Sequence, residues 1–179
     1  MGTSKNDLRE RNRENFLTSS KRMGFHSNNQ QTDSLQGDRA IPIYEHHITV
    51  LSSDIDENEH ANNQCYLRWM NEAAVAHSKE NGWTAQRYID LGSSWFARKH
   101  TIEYLAPSFE GDQLVVRTGV SDWYSIRSTR TYRFVRRSDG KVIARAETLW
   151  VFVNLSTGKP TRLPKEVTDA FVVVDAKEI

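Results

Sequence analysis

Three side chains able to do acid–base or nucleophilic chemistry, Asp56, Asn58 and His60, stand close together in this chain. A carboxylate with an ordinary pKa of about 3.9 is ionised at neutral pH, so Asp56 is available as nucleophile or general base. An imidazole titrating near ~6.5 lets His60 polarise or protonate a neighbour. Asn58 carries no charge and suits the orienting of water or substrate. Directly behind them come Asn62 and Asn63, and then Tyr66, Trp69, Met70, Ala73 and His77 recur on one face at helical spacing. Either asparagine can cap such a helix, whose free first-turn N–H groups and positive dipole end favour a developing oxyanion. Taken alone, the cluster has two readings: polar residues capping a helix, or a catalytic site at a helix N-terminus.

The helix that would carry this cluster runs to about Glu80, with Gly82 just past its end. Leu67, Ala74 and Val75 widen its apolar face, as a helix partly enclosed by a sheet requires. Strand patterns fall at 41–51, 95–105, 113–123, 126–137 and 142–154, and Asp139-Gly140 between the last two marks a hairpin. Residues 81–92 read as a connection with some helical character, carrying Trp83 and Tyr88. Residues 163–171 read as a short helix, and 171–174 as a small extra strand. One long helix with five mainly antiparallel strands defines an α+β domain.

Polar residues are concentrated at the start of the 179-residue chain. Residues 1–40 hold eight apolar side chains against sixteen Ser, Thr, Asn or Gln, while all five Trp and all four Pro come later. The expectation is a disordered extension at 1–40 and one domain over 41–179. A formal charge of +1 gives no basic excess for nucleic acid. The single Cys65 excludes an intramolecular disulfide and reads as a small apolar filler on the helix. His46 and His47 are strand neighbours that point to opposite faces, so they cannot chelate one metal together. With no run of ~20 apolar residues to span a membrane, the expected location is the cytoplasm.

The spacing of Asp54-Ile55-Asp56, His60-Ala61-Asn62-Asn63 and Tyr66-Leu67-Arg68-Trp69 resembles the signature of hot-dog-fold acyl thioesterases. That family includes the 4-hydroxybenzoyl-CoA type and the plant acyl-ACP thioesterases. The likeness continues at Thr101-Ile102-Glu103-Tyr104, at Pro107 and at the Thr-Gly-Lys-Pro turn of 157–160. It implies a single hot-dog domain, a five-stranded mainly antiparallel sheet wrapped around one long helix. It also implies that Asp56 is the catalytic carboxylate and that the Asn63 amide at the helix start binds the oxyanion. Asn58 and His60 match the Asp-x-Asn-x-His arrangement of the plant branch. The hydroxybenzoyl type instead has small residues, often Gly, where Asn58 and Glu59 stand here. The plant enzymes also carry two modules per chain, against one in this sequence.

The activity so implied is hydrolysis of an acyl-CoA thioester without cofactor or metal. The alternatives are an acyl-ACP thioesterase or a non-catalytic acyl-CoA-binding protein of the same fold. Trp95 and Phe96, with Trp83 and Tyr88, are candidates for binding the acyl group. The arginines at 127, 130, 133, 136 and 137 are candidates for the CoA phosphates, or else a solvated strand face. Members of the family pair edge to edge, so a homodimer or homotetramer is expected, which would also cover exposed strand edges.

Overall fold

The computed structural model describes residues 40–179, so the expected extension lies, except for Ala40, outside the described residues. The elements are β1 (Ile43–Thr49), α1 (Asn63–Glu80), α2 (Ala85–Asp90), β2 (Ser93–Tyr104), β3 (Gln113–Tyr124), β4 (Arg127–Arg136), β5 (Val142–Asn154) and α3 (Lys165–Asp169). A single 3-10 turn at Ser52–Asp54 precedes α1. The five strands form one sheet in the order β1-β3-β4-β5-β2, with every neighbouring pair antiparallel. This is the expected α+β architecture, and the expected strands match to within about two residues. No described helix is long and apolar enough to cross a membrane.

α1 starts where Asn62 caps it, its side-chain oxygen accepting from the Gln64 N–H at 2.8 Å. It ends at Asn81, followed by Gly82 at φ 77°, a left-handed conformation open to glycine. Tyr66, Trp69, Met70, Ala73, Ala74 and His77 are buried along one face. They meet Ile48 of β1, Leu114 and Val116 of β3, Tyr132 and Phe134 of β4, and Ala144 and Ala146 of β5. Each large apolar side chain buried in this way contributes roughly 1.5–3 kcal/mol. A second cluster joins Trp83 and Tyr88 to Val120, Phe152, Val167 and Phe171, with Trp95 and Trp123 against it. His77, near the end of α1, meets Phe171 of this second cluster edge-on at 5.6 Å.

Two connections resolve differently from their sequence patterns. Residues 85–90 form the true helix α2, because the Thr84 hydroxyl accepts from the Arg87 N–H at 3.2 Å and supplies a cap. Residues 171–174 contribute only an isolated bridge, Val173 to Val120, and not a strand. The reason is occupancy: β1 already fills the neighbouring edge of β3 as far as the Ile43–Gly119 pair. Gly119 itself admits no side chain, since a Cβ there would lie 2.8 Å from Val174 Cγ2 and 2.9 Å from the Pro42 carbonyl.

Candidate active site

Asp56 sits in a tight loop whose two arms are tied together. Its N–H donates to the His60 carbonyl at 3.0 Å, and the Asn62 N–H donates to the Asp54 carbonyl at 2.8 Å. The Glu59 N–H closes the tip on the Asp56 carbonyl at 3.0 Å, with Glu59 itself at φ 62°. A left-handed glutamate costs about 1 kcal/mol relative to glycine. From outside, the Ala61 N–H anchors the loop on the Ser108 carbonyl at 2.8 Å.

Beneath the loop lies Asp54, only 2% exposed. Its carboxylate accepts from the Leu51 N–H at 3.0 Å and from Arg68 Nη2 at 2.5 Å. Burial alone would raise Asp54, yet the Leu51 N–H and the Arg68 guanidinium hold its carboxyl below the ordinary carboxylate range. Cys65 Sγ stands 3.6 Å from Asp54 Oδ1, and burial followed by that carboxylate pushes the thiol up. A thiol so disposed is a poor nucleophile at neutral pH. The Asp54–Arg68 pair thus joins the base of the loop to the first turns of α1. Sequence reasoning passed over Arg68, because an arginine one position before Trp69 reads as a solvated helix residue.

Asp56, Asn58 and His60 are brought together at the loop's outer rim. Asp56 Oδ1 accepts from the Asn58 N–H at 2.8 Å and lies 3.8 Å from His60 Nδ1. The latter is an ion-pair distance when His60 is protonated but is too long for a hydrogen bond. The Asp56 side chain is 22% exposed, and it faces an open cleft lined by Ile55, Asp56, Glu57, Asn58 and Asn62. At the adjoining helix start, capping occupies the Gln64 N–H, and the Cys65 N–H bonds the Asn62 carbonyl at 2.9 Å. The Asn63 N–H, first in the helix, has no acceptor among the described residues. Tyr104, at the end of β2, donates its hydroxyl to the Asn63 carbonyl at 3.2 Å. Among the described residues no group of three His, Cys, Asp or Glu side chains gathers as a metal site.

Trp95 and Phe96 are placed elsewhere. They stand near the opposite end of β2 from Tyr104, roughly 25–30 Å away along the strand. Trp95 stacks on Trp123 and meets Phe152 edge-on, whereas Phe96 is 45% exposed on the sheet's edge strand. The arginine expectation needs correction. Arg130 is buried in the core and not on a solvated strand face, and Arg136 is held by Asp112 and Asp139. The alternation of β4 explains the first, for Ser128, Arg130, Tyr132 and Phe134 all point inward.

The sequence pattern of the thioesterase-like superfamily matches residues 50–171, and the chain belongs to that family. No curated protein sequence matches it. Among solved structures it is similar to Slr0204, a 1,4-dihydroxy-2-naphthoyl-CoA thioesterase from Synechocystis. Identity is 22% and the TM-score 0.66, over 72% of this chain and 94% of that one. It is also similar to SAV2348 from Staphylococcus aureus, solved in complex with CoA, at 18% identity and TM-score 0.68, over 75% and 85% of the two chains. An acyl-ACP thioesterase from Bacteroides thetaiotaomicron aligns at 21% identity and TM-score 0.64, over 68% of this chain but 49% of that one. The shared fold is that of the hot-dog thioesterases.

Proposed function

We propose that this protein hydrolyses an acyl-CoA thioester to the free acid and CoA. The observation carrying this reading is one shared location. A carboxylate, Asp56, and the Asn63 N–H, which has no acceptor among the described residues, stand at the two ends of the short loop that leads into α1. Asp56 attacks the thioester carbonyl or activates a water, and the Asn63 amide stabilises the oxyanion, a donor typically worth ~3 kcal/mol in the barrier. His60 and Asn58 orient the reacting groups. The family and the CoA-bound neighbour support CoA as the carrier. A carrier-protein thioester is the second reading, favoured by the Asp-x-Asn-x-His pattern and by the acyl-ACP neighbour. The test is thiol release from a panel of acyl-CoA and acyl-ACP substrates. Turnover of CoA thioesters is expected, and absence of turnover on every member, with saturable acyl-CoA binding, would replace hydrolysis by binding alone.

The working form is proposed to be a homodimer. β2 is an edge strand with Ala97, Arg98 and Lys99 exposed and, among the described residues, no strand on its other side. Pairing two copies of β2 about a two-fold axis runs the strands antiparallel. The Trp95–Phe96 end of one copy then lies beside the Tyr104–Asn63 end of the other, which gives these aromatics a place at the site. In sedimentation the protein is expected to run as a dimer, and Phe96→Asp to weaken both dimer and turnover. A fully active monomer would remove this part of the reading.

A further inference from the structure

Arg130 occupies the inner row Val120–Arg130–Thr148–His100 across the sheet and is 5% exposed. Its Nη1 donates to His77 Nδ1 at 2.7 Å and lies 3.5 Å from Thr118 Oγ1. No carboxylate among the described residues pairs with it, and its electrostatic neighbours are Tyr132 and Tyr88. Neither tyrosine hydroxyl has a partner at full hydrogen-bonding geometry, nor does the indole N–H of Trp150, although Ser78 and Trp95 approach the Tyr88 hydroxyl. Trp150 and Thr148 approach the Tyr132 hydroxyl, and the Thr148 hydroxyl also meets His100 Nδ1 at 2.9 Å. Donors therefore outnumber acceptors around a guanidinium that keeps its proton even in a protein interior. Buried charges are ordinarily paired, and the group missing here is an anion. A carboxylate fits best, since its two oxygens match both the planar guanidinium fork and flanking hydroxyl donors.

We propose that Arg130, with the Tyr88 and Tyr132 hydroxyls, forms an internal carboxylate-binding site at the C-terminal end of α1. The carboxylate comes either from a small free acid or from the far end of the acyl group. The second source rests on the thioesterase reading and demands a long acyl group, because Asn63 and His77 lie roughly 21 Å apart along the helix.

Full-length protein is melted in increasing sodium acetate against sodium sulfate of equal ionic strength, and crystals are soaked in bromide. Expected are a saturable acetate-specific rise in Tm and an ordered bromide beside Arg130, both lost in Arg130→Met. Should that variant fail to fold, the double variant Tyr88→Phe/Tyr132→Phe retains the charge and is expected to weaken acetate binding about tenfold. Ordered water alone beside Arg130, with no acetate response, overturns the proposal. So does bromide in the crystal without a saturable response in solution, which marks an adventitious ion only. The source is read from hydrolysis of ω-carboxyacyl-CoA and uncharged acyl-CoA of equal length. A KM raised about tenfold by Arg130→Met for the carboxylated substrate alone assigns the acyl group. Unchanged KM values with the acetate response intact assign a free acid. If no thioester is hydrolysed, the thioesterase reading fails while melting and diffraction still decide the site.

Discussion

Asp56→Asn is expected to lower thioester hydrolysis by about 10²–10⁴-fold, the range for removing a general base or nucleophile. The substitution separates the two roles that Asp56 can hold. Its Oδ1 accepts the Asn58 N–H at 2.8 Å, an Asx-type contact that an asparagine oxygen reproduces. What asparagine lacks is the negative charge. If Asp56 only shapes the loop, Asp56→Asn behaves as wild type and Asp56→Ala alone causes harm. If it does chemistry, both variants lose turnover while the melting temperature of Asp56→Asn stays near that of the parent. The loop is held independently of this side chain by backbone bonds from Asp56 to His60, from Asn62 to Asp54 and from Ala61 to Ser108. Thiol release on the best substrate, measured beside thermal melting, decides the matter. Full rate in Asp56→Asn would falsify the catalytic assignment.

Acidification is expected to remove about 3 kcal/mol of stability through His77 alone, as pH falls from 6.5 towards 4. His77 is wholly buried on α1. Burial and then the Arg130 guanidinium lower its pKa from 6.5 to about 4. The ring is fixed from three sides. Nδ1 accepts from Arg130 of β4, Nε2–H donates to the Ile41 carbonyl at 2.7 Å, and Tyr44 of β1 stacks on it at 5.8 Å between ring centres. Only the neutral tautomer satisfies both nitrogens. The unfolded chain binds a proton near pH 6.5 that the folded chain refuses until about 4, so stability rises with pH across that window. The contribution is complete above the unfolded pKa and is lost as pH falls to the folded one. Asp54 acts in the same direction but lower, because its carboxyl is held below the ordinary range. Urea unfolding of wild type and His77→Gln from neutral pH to pH 4 isolates the effect, since glutamine offers Arg130 an oxygen and does not titrate. Parallel curves for the two proteins would remove His77 as the cause.

Much of the scaffold was legible in the residues because short-range chemistry marks its boundaries. Asn62 and Gly82 bracket α1, and Asp139-Gly140 turns β4 into β5 with Gly140 at φ 67°. The grouping of Asp56, Asn58 and His60 was legible too, since one tight loop joins them. Less visible was whatever depends on facing elements. Arg130 reads as a solvated strand arginine until His77 covers it from α1, and Asp54 reads as a loop acid until Arg68 folds over it. Trp95 reads as a candidate for the acyl pocket, and pairing with β5 sets it at the opposite end of β2 from Tyr104. Local pattern speaks for caps and turns, while burial of charge is settled between elements distant in sequence.

The strand order β1-β3-β4-β5-β2 has a consequence for how the chain reaches this structure. The three central strands are consecutive and can assemble as successive hairpins across short turns. Both outer strands join only by closing long loops, since Ile43 finds Gly119 and Ser93 finds Asn154. Loop-closure entropy is spent before those pairings return any stabilisation, which places such topologies among the slower folders. The loop bearing Asp56 hangs between β1 and α1 and cannot take its final shape until the edge strand docks. The candidate site is thus expected to form only after that edge has docked and to be exposed when the edge opens.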